Sequence, residues 1–267
     1  MSYFRKALIG FGVLVLAALL LVWFLPARWL VPSIESRLQG VRLEQVQGSV
    51  WNGSVANVVQ ADGRSMGRLD WQLSRLALLG KVRGQMKLEG PRLGFSATMQ
   101  RVSADQIQLD AASLHATLDN ADQRKPSSFG EPRGAMQITL DHALLQGGWP
   151  LELQAAMHWH DAALLTSDGL VPLGVLDGQA TAQGGIVQVQ LHDDGTGPLE
   201  AKGNLQVIPL GWRLDATLRE RRPDAALHRW LAQFGHPDSE GRIHIQRNGG
   251  LADGASTSSG RRVKGQP

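Results

Sequence analysis

The chain has 267 residues, with 27 basic and 24 acidic side chains, eight tryptophans and no cysteine. The lack of cysteine excludes disulfides, thiolate metal sites and thiol nucleophiles, and it is compatible with an oxidising compartment. Residues 1–27 contribute two basic groups, and 248–267 contribute three against one acid. Residues 28–247 therefore carry 22 basic and 23 acidic groups, which lacks the basic footprint of a nucleic-acid binder.

In chain order, Arg5 and Lys6 precede Ala7 through Leu25, an apolar run with no charged side chain. As a helix rising 1.5 Å per residue, this run spans roughly 28 Å, close to the hydrocarbon thickness of a bilayer. A cleaved signal peptide has a shorter apolar core and a small-x-small exit, whereas this run leaves through Pro26-Ala27-Arg28-Trp29. The expectation is an uncleaved anchor at 7–27 behind a cytoplasmic leader at 1–6, because short basic leaders stay inside. Trp23 and Trp29 flank its exit, where indoles favour the headgroup layer. Residues 28–247 then form a periplasmic domain, and the Gly- and Ser-rich 248–267 reads as a disordered tail.

The dominant periodicity of that domain is two. Arg83, Gln85, Lys87 and Glu89 alternate with apolar positions, Gly90-Pro91 breaks the run, and Leu93, Phe95, Ala97 and Met99 resume it. Similar strands are expected around Trp71, Leu109, Ile138, Leu153, Val189, Leu205, Leu214 and Ile243. Short spacings favour antiparallel pairing. Residues 119–134 are polar and turn-rich, and read as a loop or lobe boundary. Leu227, Trp230, Leu231 and Phe234 follow helical spacing, with Pro223-Asp224 at the start and Gly235 with Pro237 at the end. One short C-terminal helix cannot cover so many one-sided strands, so the sheet covers itself as a sandwich, a barrel or a curled trough. The expected fold is mainly β: an N-terminal transmembrane helix followed by a curled antiparallel β-sheet domain with one short C-terminal helix.

The motifs that could carry chemistry have blander readings. Gly63-Arg-Ser65-Met-Gly67 has the G-x-S-x-G form of serine hydrolases, but it sits at a hairpin and leads into a strand, not the helix that a nucleophile elbow needs. His158 and His160 share one face of a strand as a two-point metal site without a third ligand. Asp193-Asp194-Gly195 lacks the ligand series of a calcium loop and reads as a turn. Asn52-Gly53-Ser54 has the form of a glycosylation sequon, which reads as coincidence in a bacterial-looking chain. No catalytic, cofactor-binding or metal-ligating residue is assigned, and the chain is expected not to be an enzyme.

The remaining signal is the placement of Trp and Gly. Gly48-Ser-Val-Trp51-Asn-Gly53 sets a large ring between glycines that permit bends or close backbone approach. Together with the apolar run, the strand at Trp71, Leu78-Leu79-Gly80, and Leu231-x-x-Phe-Gly235-His-Pro237-Asp-x-x-Gly241-Arg242, this order of features resembles the type II secretion system protein N family. The resemblance covers residues 1 to about 250. It implies a non-catalytic accessory component of the bacterial inner membrane that supports export of folded proteins across the outer membrane. Its partners would be inner-membrane platform proteins and periplasmic domains near the secretin, met at a strand edge or the Trp-bearing face. The family is distantly similar to AsmA-like proteins, whose curled sheets form apolar troughs. The competing expectation is therefore a lipid-binding or lipid-transfer groove, with lipid as ligand. Gly48, Trp51, Gly53, Trp71, Gly80, Gly235, Pro237 and Gly241 are the motif positions, structural or interacting in role.

Overall fold

The computed structural model describes residues 24–29, 31–37, 40–119 and 130–250. It divides into two compact units, one ending at Arg101 and the other beginning at Val102. Most of the expected anchor lies outside the described residues, as do the leader and residues 251–267 of the expected tail. No helix among the described residues is long and apolar enough to cross a membrane. Pro26 and Ala27, placed in the anchor by the sequence reading, are part of the first unit. Pro26 bridges to Ser49, and Ala27 is buried in a short 3-10 turn, Ala27–Trp29.

The first unit continues through α1 (Val31–Arg37), β1 (Val41–Gly48), β2 (Asn52–Gln60), β3 (Ser65–Leu73), a 3-10 turn (Arg75–Leu79), β4 (Arg83–Glu89) and β5 (Leu93–Arg101). Each strand pairs antiparallel with its neighbour in sequence. α1 is tied to β1 by the Leu43 N–H, which donates to Glu35 Oε1 at 2.8 Å. The alternation expected of β4 and β5 holds in register, with Met86 opposite Ala97 and Leu88 opposite Phe95. β1 and β2 were not foreseen.

The second unit holds β6 (Gln106–Thr117), β7 (Glu131–Gln146), β8 (Trp149–Thr166), β9 (Gly169–Gln183), β10 (Ile186–Asp193), β11 (Leu199–Ile208), β12 (Gly211–Glu220), α2 (Ala225–Leu231) and β13 (Arg242–Gly250). These strands also pair antiparallel in sequence order, and in neither unit does the first strand pair with the last. Of the stretch 119–134 expected as a loop or lobe boundary, 131–134 belong to β7 and 120–129 lie outside the described residues; β6 and β7 pair directly, and the division into units falls earlier, after Arg101. Bulges with positive φ at Gly134, Asp161 and Gly174 fall at one level across β7, β8 and β9. A bulge bends its strand and increases local twist.

The register sorts the second unit's faces. Leu114, Ile138, Met157, Gly178, Leu191, Gly203, Ala216 and Ile245 lie opposite one another across eight strands. One residue along each strand, His115, Gln137, His158, Asp177, His192, Lys202, Thr217 and His244 form a polar row on the other face. Helix α2 covers only part of the apolar face. Its Leu227, Trp230 and Leu231 pack with Val171, Leu173, Leu176, Leu199 and Ile243 into the unit's buried cluster. Asp224 caps the helix by accepting from the Ala226 and Leu227 N–H groups, each at 2.9 Å, as expected from the sequence. Farther along the same face, Leu153, Val187 and Val207 are only half-buried, and Trp212 is exposed.

Candidate functional site

One end of the first unit gathers five of the eight motif positions. The β1–β2 connection carries Gly48, Trp51 and Gly53, and hydrogen bonds extend outward from it on both sides. Val50 N–H donates to Leu25 O at 3.0 Å, and Leu73 N–H donates to Trp51 O at 2.6 Å. Gly48 has φ +82, and a Cβ there would meet Asn52 O at 2.5 Å, so the tight return of the chain requires glycine. Gly53 lies directly opposite Trp71, and a Cβ on it would collide with the Trp71 ring and with the carbonyl oxygens of Gln47 and Ser49. Trp71 Nε1 donates to Val50 O at 3.1 Å, fixing the indole over the turn. Trp51 itself is 8 % exposed. Gly80 closes the Arg75–Leu79 turn at φ +87 and donates to Ala77 O at 3.0 Å.

The other three positions belong to the second unit. Gly235 (φ +144) and Pro237 follow α2, and Gly241 (φ +75) donates to Asp238 O at 3.0 Å in the turn that starts β13. Asp238 accepts from the Glu240 N–H at 2.8 Å and the Arg242 N–H at 2.9 Å. The Arg242 N–H contributes most to holding its carboxyl below the usual range, together with His244. These residues set the entry of β13, whose strand partner among the described residues is β12 alone.

Ser65 begins β3, exposed, and donates its hydroxyl to Asn57 Oδ1, with strand rather than helix after it. His158 is hydrogen-bonded to Asp177, and its ring meets the His160 ring edge-on with centroids 3.9 Å apart. Gln137, Met157, His158, Asp177 and His192 line an open recess of about 440 Å³. Among the described residues, no group of three or more His, Asp or Glu is arranged to hold a metal ion.

Asp193-Asp194-Gly195 forms the expected turn, and it also does something unforeseen. Asp193 accepts from the N–H groups of Gly195 and Ala201, each at 2.8 Å, and from Arg221 Nη2. Burial pushes its carboxyl up, but those bonds outweigh it and hold the group below the ordinary aspartate value.

Sequence reasoning missed a recurring pairing of Trp with Gly across strands. Gly53 faces Trp71, Gly249 faces Trp212, and Trp149 Nε1 donates to Gly185 O at 2.8 Å. A glycine opposite an indole leaves room for the ring to lie flat over the neighbouring backbone. The partner glycines of Trp71 and Trp212 emerge only from the register. Trp212 is exposed on the strand paired with β13, next to exposed Leu210 in the β11–β12 turn.

A family model described as Type II secretion system (T2SS), protein N, matches residues 39–246. The Type II secretion system protein N of Aeromonas hydrophila is 27 % identical over 257 residues, covering 93 % of this chain and 96 % of that protein. The protein of the same name from Klebsiella pneumoniae is 28 % identical over 247 residues, covering 86 % of this chain and 91 % of that protein. No solved structure matches. With most of the β fold and nearly all of both relatives' length aligned, the chain belongs to the type II secretion system protein N family and is a component of that secretion system.

Proposed function

We propose that the chain is a non-catalytic subunit of the type II secretion system, held in the bacterial inner membrane by Ala7–Leu25. Its N-terminus is cytoplasmic and its β units are periplasmic. It supports export of folded proteins by binding other inner-membrane components of the apparatus and periplasmic domains near the secretin. The observation that carries the reading is the exposed apolar end of the second unit, Leu210 and Trp212, beside the edge of β13. An edge strand next to apolar side chains suits a protein partner that adds a strand and buries those side chains. The motif residues in this reading shape the surfaces and perform no reaction.

The second reading, an AsmA-like lipid groove, is favoured by the half-buried stretch of apolar face beyond α2, at Leu153, Val187 and Val207. Such a face takes either a partner or a lipid.

A deletion strain complemented by variants separates both readings from an enzyme. Without the chain, a secreted protein is expected to accumulate in the periplasm, and Ser65→Ala and His158→Ala are each expected to restore release to the level of the unchanged chain. Loss of release in either variant at unchanged protein level would return a chemical role to that side chain.

A further inference from the structure

We infer that the Arg75–Leu79 turn is a second membrane contact, inserting Leu76, Leu78 and Leu79 into the headgroup layer of the bilayer that holds the anchor. The turn bears three leucines in sequence order Arg75-Leu-Ala-Leu-Leu79, and none of its residues is buried. Leu79 is 79 % exposed, the most exposed large apolar side chain among the described residues. Nothing in the turn's construction is loose. Ser74 caps its start by accepting from Leu76 N–H at 3.3 Å, and Gly80 closes it. An ordered turn that displays leucines needs something apolar to receive them.

The occupant is indicated by where the chain enters. Leu25, the last residue of the uncharged run, accepts from Val50 N–H, and Pro26 bridges Ser49. From there the same sheet end continues through Trp51 to Leu73, Ser74 to Arg83, and Val82 to Arg101, at 2.6, 2.8 and 2.9 Å. The leucine turn therefore lies at the end of the unit where the apolar run terminates. Exposed Phe24 and Trp29 stand at that end too. The opposite end, at the β2–β3 turn around Asp62, lies roughly 26 Å away along β2 at 3.3 Å per residue.

Charge agrees. The segments at this end, 24–29, 49–53, 74–83 and Arg101, carry Arg28, Arg75, Lys81, Arg83 and Arg101 and no carboxylate. All five are exposed. Leucines rimmed by cations are the composition that lies in an interface, with the side chains in the acyl boundary and the charges at anionic phospholipid phosphates. The far end is mixed, with Asp62 and Glu89 beside Arg64 and Arg92.

This inference rests on the anchor reading, and the test separates the two. The absence of cysteine allows single-site labelling of the full chain. Leu16→Cys, Leu79→Cys and Asp62→Cys variants, each carrying an environment-sensitive fluorophore, are placed in nanodiscs of phosphatidylethanolamine and phosphatidylglycerol. The Leu16 and Leu79 probes are expected to be blue-shifted, quenched by brominated phospholipid, and several-fold less accessible to iodide than the Asp62 probe. Adding Leu76→Asp and Leu78→Asp should return the Leu79 probe to water while the Leu16 probe stays in lipid. A Leu79 probe as open to iodide as Asp62, with Leu16 in lipid, overturns the inference alone and leaves the patch to a protein. A Leu16 probe in water overturns the anchor and the inference together.

Discussion

Replacing Trp51 by alanine is expected to cost the first unit about 3–5 kcal/mol, the range for deleting a buried large aromatic. The ring is 8 % exposed and sits in the turn that joins the incoming chain to β1, β2 and β3. Truncation leaves a void at a point where the backbone has little freedom to collapse, because Gly48 and Gly53 already make contacts that would exclude a Cβ. Urea unfolding of the full chain followed by circular dichroism suits the measurement, since eight tryptophans blur fluorescence. The midpoint should fall with an unchanged slope. A change within about 0.5 kcal/mol, the ordinary surface range, would mean the ring supports nothing and is kept for a partner.

The second large effect is expected at Arg221. Its Nη2 pairs with Asp193, while Nη1 donates to Gly197 O at 3.0 Å and Leu199 O at 3.1 Å, so one guanidinium ties the β10–β11 turn to the end of β12. The Asp193 side chain is 8 % exposed. Arg221→Ala should cost about 1.5–3 kcal/mol, the range for hydrogen bonds to a charged group, because the buried Asp193 carboxylate loses its cation and keeps only the Gly195 and Ala201 N–H donors. The same clamp predicts acid sensitivity. Asp193 titrates lower in the folded chain than unfolded, so its contribution is complete above the ordinary aspartate value and is lost as pH falls through the folded value below it. Asp193→Asn should lower stability at neutral pH and flatten the acid limb. An unchanged acid limb would show that Asp193 is not the group responsible.

What the sequence reveals here depends on how one-sided each element is. β4, β10 and the first half of β8 alternate exposed with half-buried or buried positions, so they are legible, and β5 and β12 are legible from their apolar residues at every second position although their burial does not alternate. β9 was missed because Val171, Leu173 and Leu176 join the cluster under α2 while Pro172 and Gly174 interrupt the pattern. β1 was hidden by Gln45, which takes φ +56 and breaks the alternation, and β2 by irregular register between Val55 and Val59. Helix α2 was legible from its spacing and its Asp224 cap. The Asp193 turn was legible too, but its clamp was not, since Arg221 lies 28 residues away and only the sheet brings it back. Leu76 to Leu79 posed the reverse problem. An apolar run suggests burial, and only the exposure of its side chains marks it as a surface.

The proposed role requires that this chain act through its surfaces on other secretion proteins. In-cell cross-linking reads that contact, with a photoreactive amino acid in place of Leu210, exposed at the β11–β12 turn beside Trp212 and β13. The predicted result is an ultraviolet-dependent adduct that mass spectrometry identifies as another inner-membrane component of the type II secretion system. It should disappear in a strain lacking that component. An adduct with phospholipid in near-stoichiometric yield, and none with any secretion protein, would contradict that role and favour the lipid groove.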